Sequence, residues 1–351
     1  MVLPPEVRAR RDVPDLEAAR NAFVSAPPNR LATMRLAYAE ALRVHRRHTR
    51  AEELYLEALL IPETRAEASV GLGQLELSRG DMRAALSRYG DAIIADDGLA
   101  EPHYFSGNLL VRQGDLEGAV ATYERALARD PAHLRTYVNL ASVHARQTDY
   151  GPAVETLRRG LQALPDAREL RQQLGRILFV QARYDESAEQ LQQLVDDGTT
   201  AASAFALLAR VEADRGFPQK ALEWLRRGLE EHPDDAQLSL RLGVALVEQR
   251  AFGQALSHLQ RAVDLDPDQE EARYHLGRLY LRLGKRAAGE TTLGLFQRLQ
   301  THHTDLLDFK TAIVLNPDDA QAYYALGAVY SRIGRLDAAR QAYRAALTID
   351  P

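Results

Sequence analysis

The sequence predicts an all-α chain built from repeated helix pairs, and three observations predict it. The chain repeats itself every 34 residues: stepping back from Gly277 meets Gly243, Ala209, Gly175, Ala141, Gly107, Gly73 and Ala39, all small. Within the units, apolar residues recur at three- and four-residue spacing, as in Leu242, Leu246, Leu256, Leu259 and Val263, the period of a helix with one buried face. Helix stops fall at fixed places. Gly80, Gly114, Gly216, Gly284 and Gly334 divide the halves of their units, where a left-handed residue ends a helix. Pro131, Pro165, Pro233 and Pro267 close units, because proline lacks an N–H and restricts the residue before it.

The elements follow in chain order. Residues 1–13 carry Pro4, Pro5 and several charges and read as a flexible lead. The stretch "PDLEAARNAFVSAPPN", residues 14–29, reads as one helix that caps the array. Units then start at 32, 66, 100, 134, 168, 202, 236, 270 and 320. Twelve residues after each small residue comes a second one, from Ala51 and Ala85 to Ser187 and Gly289. Four residues later stands a large one: Tyr55, Tyr89, Tyr123, Leu157, Leu191, Leu225, Leu259 or Leu293. The small residues permit close approach of paired helices, and the large ones fill the gap to the next pair. Asp234, Asp268 and Asp318 follow closing positions and are expected to cap the next helix.

Three places depart from the pattern. Thr199 replaces the expected proline, which predicts a looser junction. The unit starting at 270 is 50 residues long. No proline interrupts 287–315, and Leu299, Leu306 and Ile313 recur every seven residues, which predicts one unbroken helix about 43 Å long, projecting as a docking surface or shifting the last unit. After Pro351 no polar helix follows, and repeat arrays need a polar cap. Either the chain is the repeat region of a larger protein, or a partner or second copy covers Tyr343, Ala346 and Leu347; self-association through that end is expected.

Composition sets the outer limits. With 44 basic against 49 acidic residues the net charge is −5, which gives no support to nucleic-acid binding. Arginine supplies nearly all the positive charge, as GC-rich bacterial coding favours. The absence of cysteine excludes disulfides, thiolate metal sites and cysteine nucleophiles. No apolar stretch approaches the roughly 20 residues that span a bilayer, and the start lacks a signal-peptide core, so the expected compartment is the cytoplasm, or the periplasm if a leader has been removed. Phosphate-loop, dinucleotide, nucleophile-elbow and EF-hand patterns are missing. His45 and His48, like His302 and His303, have no third metal ligand near them in sequence and read as solvated.

The pattern resembles the tetratricopeptide repeat (TPR). That family has Gly or Ala at position 8, Ala at 20, an aromatic residue or Leu at 24 and Pro at 32 of a 34-residue unit. The resemblance runs from residue 32 to the end and implies a right-handed superhelix, an α-solenoid of about nine helix-turn-helix units. First helices would line its concave groove, which takes peptides and partner segments. The resemblance points to a scaffold or adaptor, and the missing catalytic motifs and metal ligands predict no enzyme activity, no cofactor and no metal. The family's clamp for chaperone tails is not expected: Asn108 and Asn139 match it, but Tyr104, Glu169 and Gln173 replace its three basic residues.

Groove positions 2, 5, 6, 9, 12 and 13 are rich in arginine. Acids cluster at position 2, where they stabilise the helix dipole; setting it aside leaves nine basic residues, Arg112 among them, against three acidic. The candidate partner-binding residues are Tyr104, Asn108, Asn139, Arg146, Arg176, Phe179, Arg210, Arg241, Tyr274, Arg278, Arg282 and Tyr324. His275 belongs to the edge of this lining; no nucleophile stands near it, so a binding or structural role is expected. The expected ligand is an acidic or phosphorylated peptide held by Arg176, Arg210, Arg241 and Arg278, with apolar contact from Tyr274 and Phe179. A helper of envelope assembly or polysaccharide export is the other reading.

Overall fold

A computed structural model describes residues 15–196, 198 and 201–350. The described residues form helices and connecting turns, and no strand. The lead at 1–13, the Thr199 junction and Pro351 lie outside the described residues. The chain divides into two compact units, Met1–Gln181 and Ala182–Pro351.

The first unit opens with α1 (Leu16–Val24), capped by Asp15, whose carboxylate accepts from the Glu17 and Ala18 amides at 2.9 and 3.2 Å. It ends well before 29, and a 3₁₀ turn at Pro28–Arg30 leads into the array. Helix pairs follow: α2 (Leu31–Val44) with α3 (His48–Leu59), α4 (Arg65–Ser78) with α5 (Met82–Ala95), α6 (Ala100–Gln113) with α7 (Leu116–Arg129), and α8 (Leu134–Arg146) with α9 (Tyr150–Ala163). The unit closes with α10 (Arg168–Val180). The second unit begins with α11 (Tyr184–Asp196). Then come α12 (Ala202–Asp214) with α13 (Pro218–Glu231), α14 (Ala236–Glu248) with α15 (Phe252–Leu265), and α16 (Glu270–Arg282) with α17 (Arg286–Thr301). Helices α18 (His303–Leu315), α19 (Ala320–Ile333) and α20 (Leu336–Ile349) complete it.

Pairs close because a small residue on the first helix meets a large one on the second. A Cβ placed on Gly107 would lie 2.5 Å from the Tyr123 ring, inside any tolerable contact. Tyr55, Tyr89, Tyr123, Leu157 and Leu259 are at most 2 % exposed, so the large residue anchors each pair. Burying such a side chain contributes about 1.5–3 kcal/mol.

Turns between paired helices use one device throughout. The dividing residue is left-handed, and the amide after it reaches back five residues to a carbonyl of the first helix, as Asp115 does to Leu110 at 3.0 Å. Glycine holds this place at 80, 114, 216, 284 and 334, as expected, with φ between 76° and 90°. Arg46, Thr148 and Arg250 hold it in other pairs, with φ of 58–60°. The second helix demands the reversal whether or not glycine is present, and the β-branched Thr148 is the worst suited to it.

Two expectations are corrected. The caps lie one residue later than expected: Asp235 accepts from the Leu238 amide at 2.7 Å and Asp319 from Ala322 at 2.9 Å, rather than Asp234 and Asp318. Asp268 caps nothing. It accepts from Lys310 Nζ at 2.5 Å and Tyr330 Oη at 2.8 Å, and the Arg335 guanidinium lies against its other oxygen.

The long helix across 287–315 also fails. It breaks at His302, where φ is −109° and ψ 17°, into α17 and α18. A continuous rod would carry Leu306 and Ile313 away from α17's own contacts. The break turns the chain so that Leu299 and Leu306 enter one cluster with Leu326, Val329 and Ile333. Polar contacts hold α18 in place: His303 Nδ1 lies 2.6 Å from Glu270, and Lys310 pairs with Asp268. The seven-residue stripe therefore builds a local core rather than a docking surface.

Replacing Thr148 with glycine is expected to stabilise the chain. It removes a left-handed penalty of roughly 1–2 kcal/mol and adds a glycine entropy cost of about 0.5–1 kcal/mol. The urea midpoint should rise, by an amount equivalent to about 0.5–1 kcal/mol, with helical content unchanged.

Candidate functional site

The first helices carry the candidate face. In the first unit it is organised from beneath by the large residue of each second helix. Tyr55 Oη donates to Glu40 at 2.8 Å, and Tyr123 Oη donates to Asn108 at 2.7 Å. Both acceptors stand fifteen residues earlier, at position 9 of the face. Tyr89 and Gln74 occupy the same register, but Tyr89 Oη and Gln74 Oε1 are buried and make no hydrogen bond. Burial pushes the Tyr123 phenol up to about 12, so it stays a neutral donor. The Tyr55 phenol is raised too, by burial first and then by the Glu40 charge beside it.

Where the anchor is leucine, no hydroxyl reaches the face. Position 9 is then Ser142 beside Leu157, Arg210 beside Leu225, Val244 beside Leu259 and Arg278 beside Leu293. Tyr55 and Tyr123 thus tie down an acidic and a neutral residue, whereas two of the leucine anchors have an arginine at that position.

The predicted residues divide accordingly. Asn139 Nδ2 donates to Asn108 Oδ1 at 2.7 Å and approaches Tyr104 Oη at 3.4 Å, so the two asparagines serve each other across neighbouring helices. Tyr104 is half-buried, its ring 5.0 Å from His133 and 5.2 Å from Phe105. Arg146 and Arg176 are exposed, and Phe179 is half-buried on α10.

In the second unit Arg210 is exposed, its Nε 4.0 Å from Asp214. Arg241 is engaged, pairing with Glu271 at 3.0 and 3.4 Å across neighbouring first helices. Arg278 donates to Tyr274 Oη at 2.7 Å and lies over that ring, 5.3 Å from its centre. Arg282 turns aside onto Phe252 at 4.5 Å. Tyr324 is 64 % exposed beside Tyr343. The expected strip of Arg176, Arg210, Arg241 and Arg278 is therefore not one set of free cations. Arg176 belongs to the first compact unit and the other three to the second, where Glu271 already neutralises Arg241.

His275 is half-buried, 4.0 Å from Glu271, and burial lowers its pKa, with Glu271 opposing. His303 is held by Glu270 rather than simply solvated. Among the described residues no three His, Cys, Asp or Glu come together as a metal site, and no helix is long and apolar enough to cross a membrane.

Sequence profiles described as tetratricopeptide repeat match residues 106–168, 173–236, 246–296 and 309–341. The chain belongs to the tetratricopeptide repeat family. Repeats of this family generally mediate protein–protein interaction. Among solved structures it is similar to the C-terminal part of a TPR repeat-containing protein from Cytophaga hutchinsonii, with 15 % identity and a TM-score of 0.56, covering 69 % of this chain and 99 % of that one. That likeness concerns the fold alone. Among curated proteins, protein O-mannosyl-transferase TMTC1 of Mus musculus is 29 % identical over 117 residues and that of Homo sapiens 30 % over 125, or 32 % and 34 % of this chain. The chain spans only 12 % and 14 % of their lengths.

The tyrosine register yields a paired test. Tyr123→Phe removes a buried donor from Asn108 and should destabilise the TPR array by about 0.5–1.5 kcal/mol. Tyr89→Phe removes a buried hydroxyl with no partner and should be neutral or stabilising. Urea unfolding of both variants, followed by circular dichroism, reads the difference.

Proposed function

We propose that this chain is a non-catalytic scaffold whose first helices hold a segment of a partner protein, acidic or phosphorylated in character. The observation that carries the reading is a set of exposed arginines on the first helices. On the second helices, Arg159 pairs with Glu124 at 2.6 Å, Arg227 with Asp196 at 3.1 Å and Arg261 with Asp234 at 3.4 Å, so those charges tie neighbouring units together. On the first helices, Arg112, Arg146 and Arg176 are exposed and enter no ion pair among the described residues. Exposed arginines left out of the internal bonding are available to an external anion.

A photo-crosslinking amino acid tests the face. Placed at Ser142 or Tyr274 on the first helices it should capture the partner, and placed at Glu223 on the outer side of α13 it should not. Equal capture at all three positions would remove the reading. Once the partner is purified, its affinity should fall as salt is added.

A second contact is supported by one observation at the last helix pair. Leu347 is 63 % exposed and Tyr324 64 % exposed. Tyr324, Tyr343 and Leu347 line a shallow cleft there. We propose self-association through this cleft. Sedimentation should show a concentration-dependent dimer that Leu347→Glu abolishes; a monomer at all concentrations would refute it.

A further inference from the structure

We infer that Arg146 and Arg176 form a two-arginine clamp for a phosphate group, so that the segment taken by the first compact unit is phosphorylated. The inference rests on the scaffold reading and deepens it.

The register between neighbouring first helices supports the pairing. Arg241 and Glu271, thirty residues apart, meet at 3.0 Å; Asn108 and Asn139, thirty-one apart, meet at 2.7 Å. Arg146 and Arg176 are also thirty apart, on α8 and α10, which pack against each other within the first unit. They stand at positions 13 and 9, while Arg241 and Glu271 stand at positions 6 and 2. Both members are thus shifted by seven residues, about two turns along the same stripe. The two guanidinium groups therefore leave facing turns of adjacent helices.

Equivalent places elsewhere do not bring like charges together. The same thirty-residue offset sets Arg112 against Ser142 earlier in the first unit, and Asp214 against Val244 and Glu248 against Arg278 in the second, where Arg278 donates to Tyr274 instead. Only Arg146 with Arg176 sets cation against cation at this register within either unit. The acid nearest to Arg176 along the same face is Glu169, seven residues and about 10 Å back along α10. Asp149, the acid after Arg146, lies past the end of α8 in the turn to the second helix. Two like charges on facing turns repel unless an anion lies between them.

The chemistry selects phosphate over carboxylate. A carboxylate carries one negative charge and satisfies one guanidinium fork. A phosphate monoester carries about −1.5 to −2 at neutral pH and has three acceptor oxygens, enough for two forks. Arg112, on the next first helix, extends the positive line, and Val180, 54 % exposed beyond Arg176, offers apolar contact to a flanking residue.

The probe is N-acetyl-phosphoserine N-methylamide, titrated into the full chain while the arginine Nε–Hε signals are followed by NMR. The Arg146 and Arg176 signals should move together, and those of Arg241 should not. Double replacement by alanine should weaken binding about tenfold or more, and Arg241→Ala less than about twofold. Affinity should rise between pH 5 and 7.5 as the phosphate loses its second proton near pH 6, because both arginines stay charged throughout. The serine amide should not bind, and N-acetyl-glutamate should bind more weakly with a flat pH profile. Signals that stay still, a glutamate probe that binds as tightly, or a single-stranded oligouridylate that binds more tightly through the same two arginines would each overturn the clamp. Capture at Ser142 and Tyr274 is measured separately. If it persists while the probe fails, the scaffold stands and the clamp falls; if it disappears too, both fall.

Discussion

The close approach of paired helices is the constraint on which the rest of this structure depends. A residue without a bulky side chain must face a large one, as Gly107 faces Tyr123, or the pair cannot close. The large residue then lies beneath the first helix, and its outer end lies under the candidate face. The choice between tyrosine and leucine is therefore more than a choice of filler. Tyr55 and Tyr123 send a hydroxyl through to the face and occupy Glu40 and Asn108. Leucine sends nothing, and arginine stands at position 9 in two of those pairs of the second unit. Core packing and surface charge are coupled through one side chain.

The same economy explains why arginine content alone is a poor guide to the face. Arg43 is held by Glu40, Arg241 by Glu271, and Arg278 and Arg282 by aromatic rings. Paired or stacked arginines of this kind stiffen the array and offer little to a ligand. What remains outside ion pairs is a smaller set, Arg112, Arg146 and Arg176 in the first unit and Arg332 in the second.

The expansion after α16 shows a related balance. Leu299 and Leu306 fit a single long helix by their spacing, but a rod in water would leave them without a core. Breaking the helix at His302 costs little backbone hydrogen bonding, because the His302 amide still reaches Arg298 and Leu299 and its carbonyl accepts from Leu306. The break returns both leucines to α19 and sets Lys310 against Asp268. Burial lowers the pKa of Lys310 and of Arg335, as expected of cations drawn into a partly dry cluster around one carboxylate.

The repeat, the helix pairs, the small-to-large packing and the glycine turns could all be read from residue order, because each depends on neighbours within a few turns of the same hairpin. The left-handed turns at Arg46, Thr148 and Arg250 could not, since only the packing of the second helix forces a conformation those residues resist. Nor could the caps at Asp235 and Asp319 be told from their neighbours Asp234 and Asp318, where one residue of phase decides which carboxylate meets the free amides. The candidate face was legible as a set of positions but not as a set of free groups. Whether Arg241 is available depends on Glu271, thirty residues away on another helix, and whether Asn108 is available depends on Tyr123 beneath it. Periodicity states which way a side chain points; only the packed structure decides what it meets there, because hydrogen bonds and ion pairs require contact within a few ångströms.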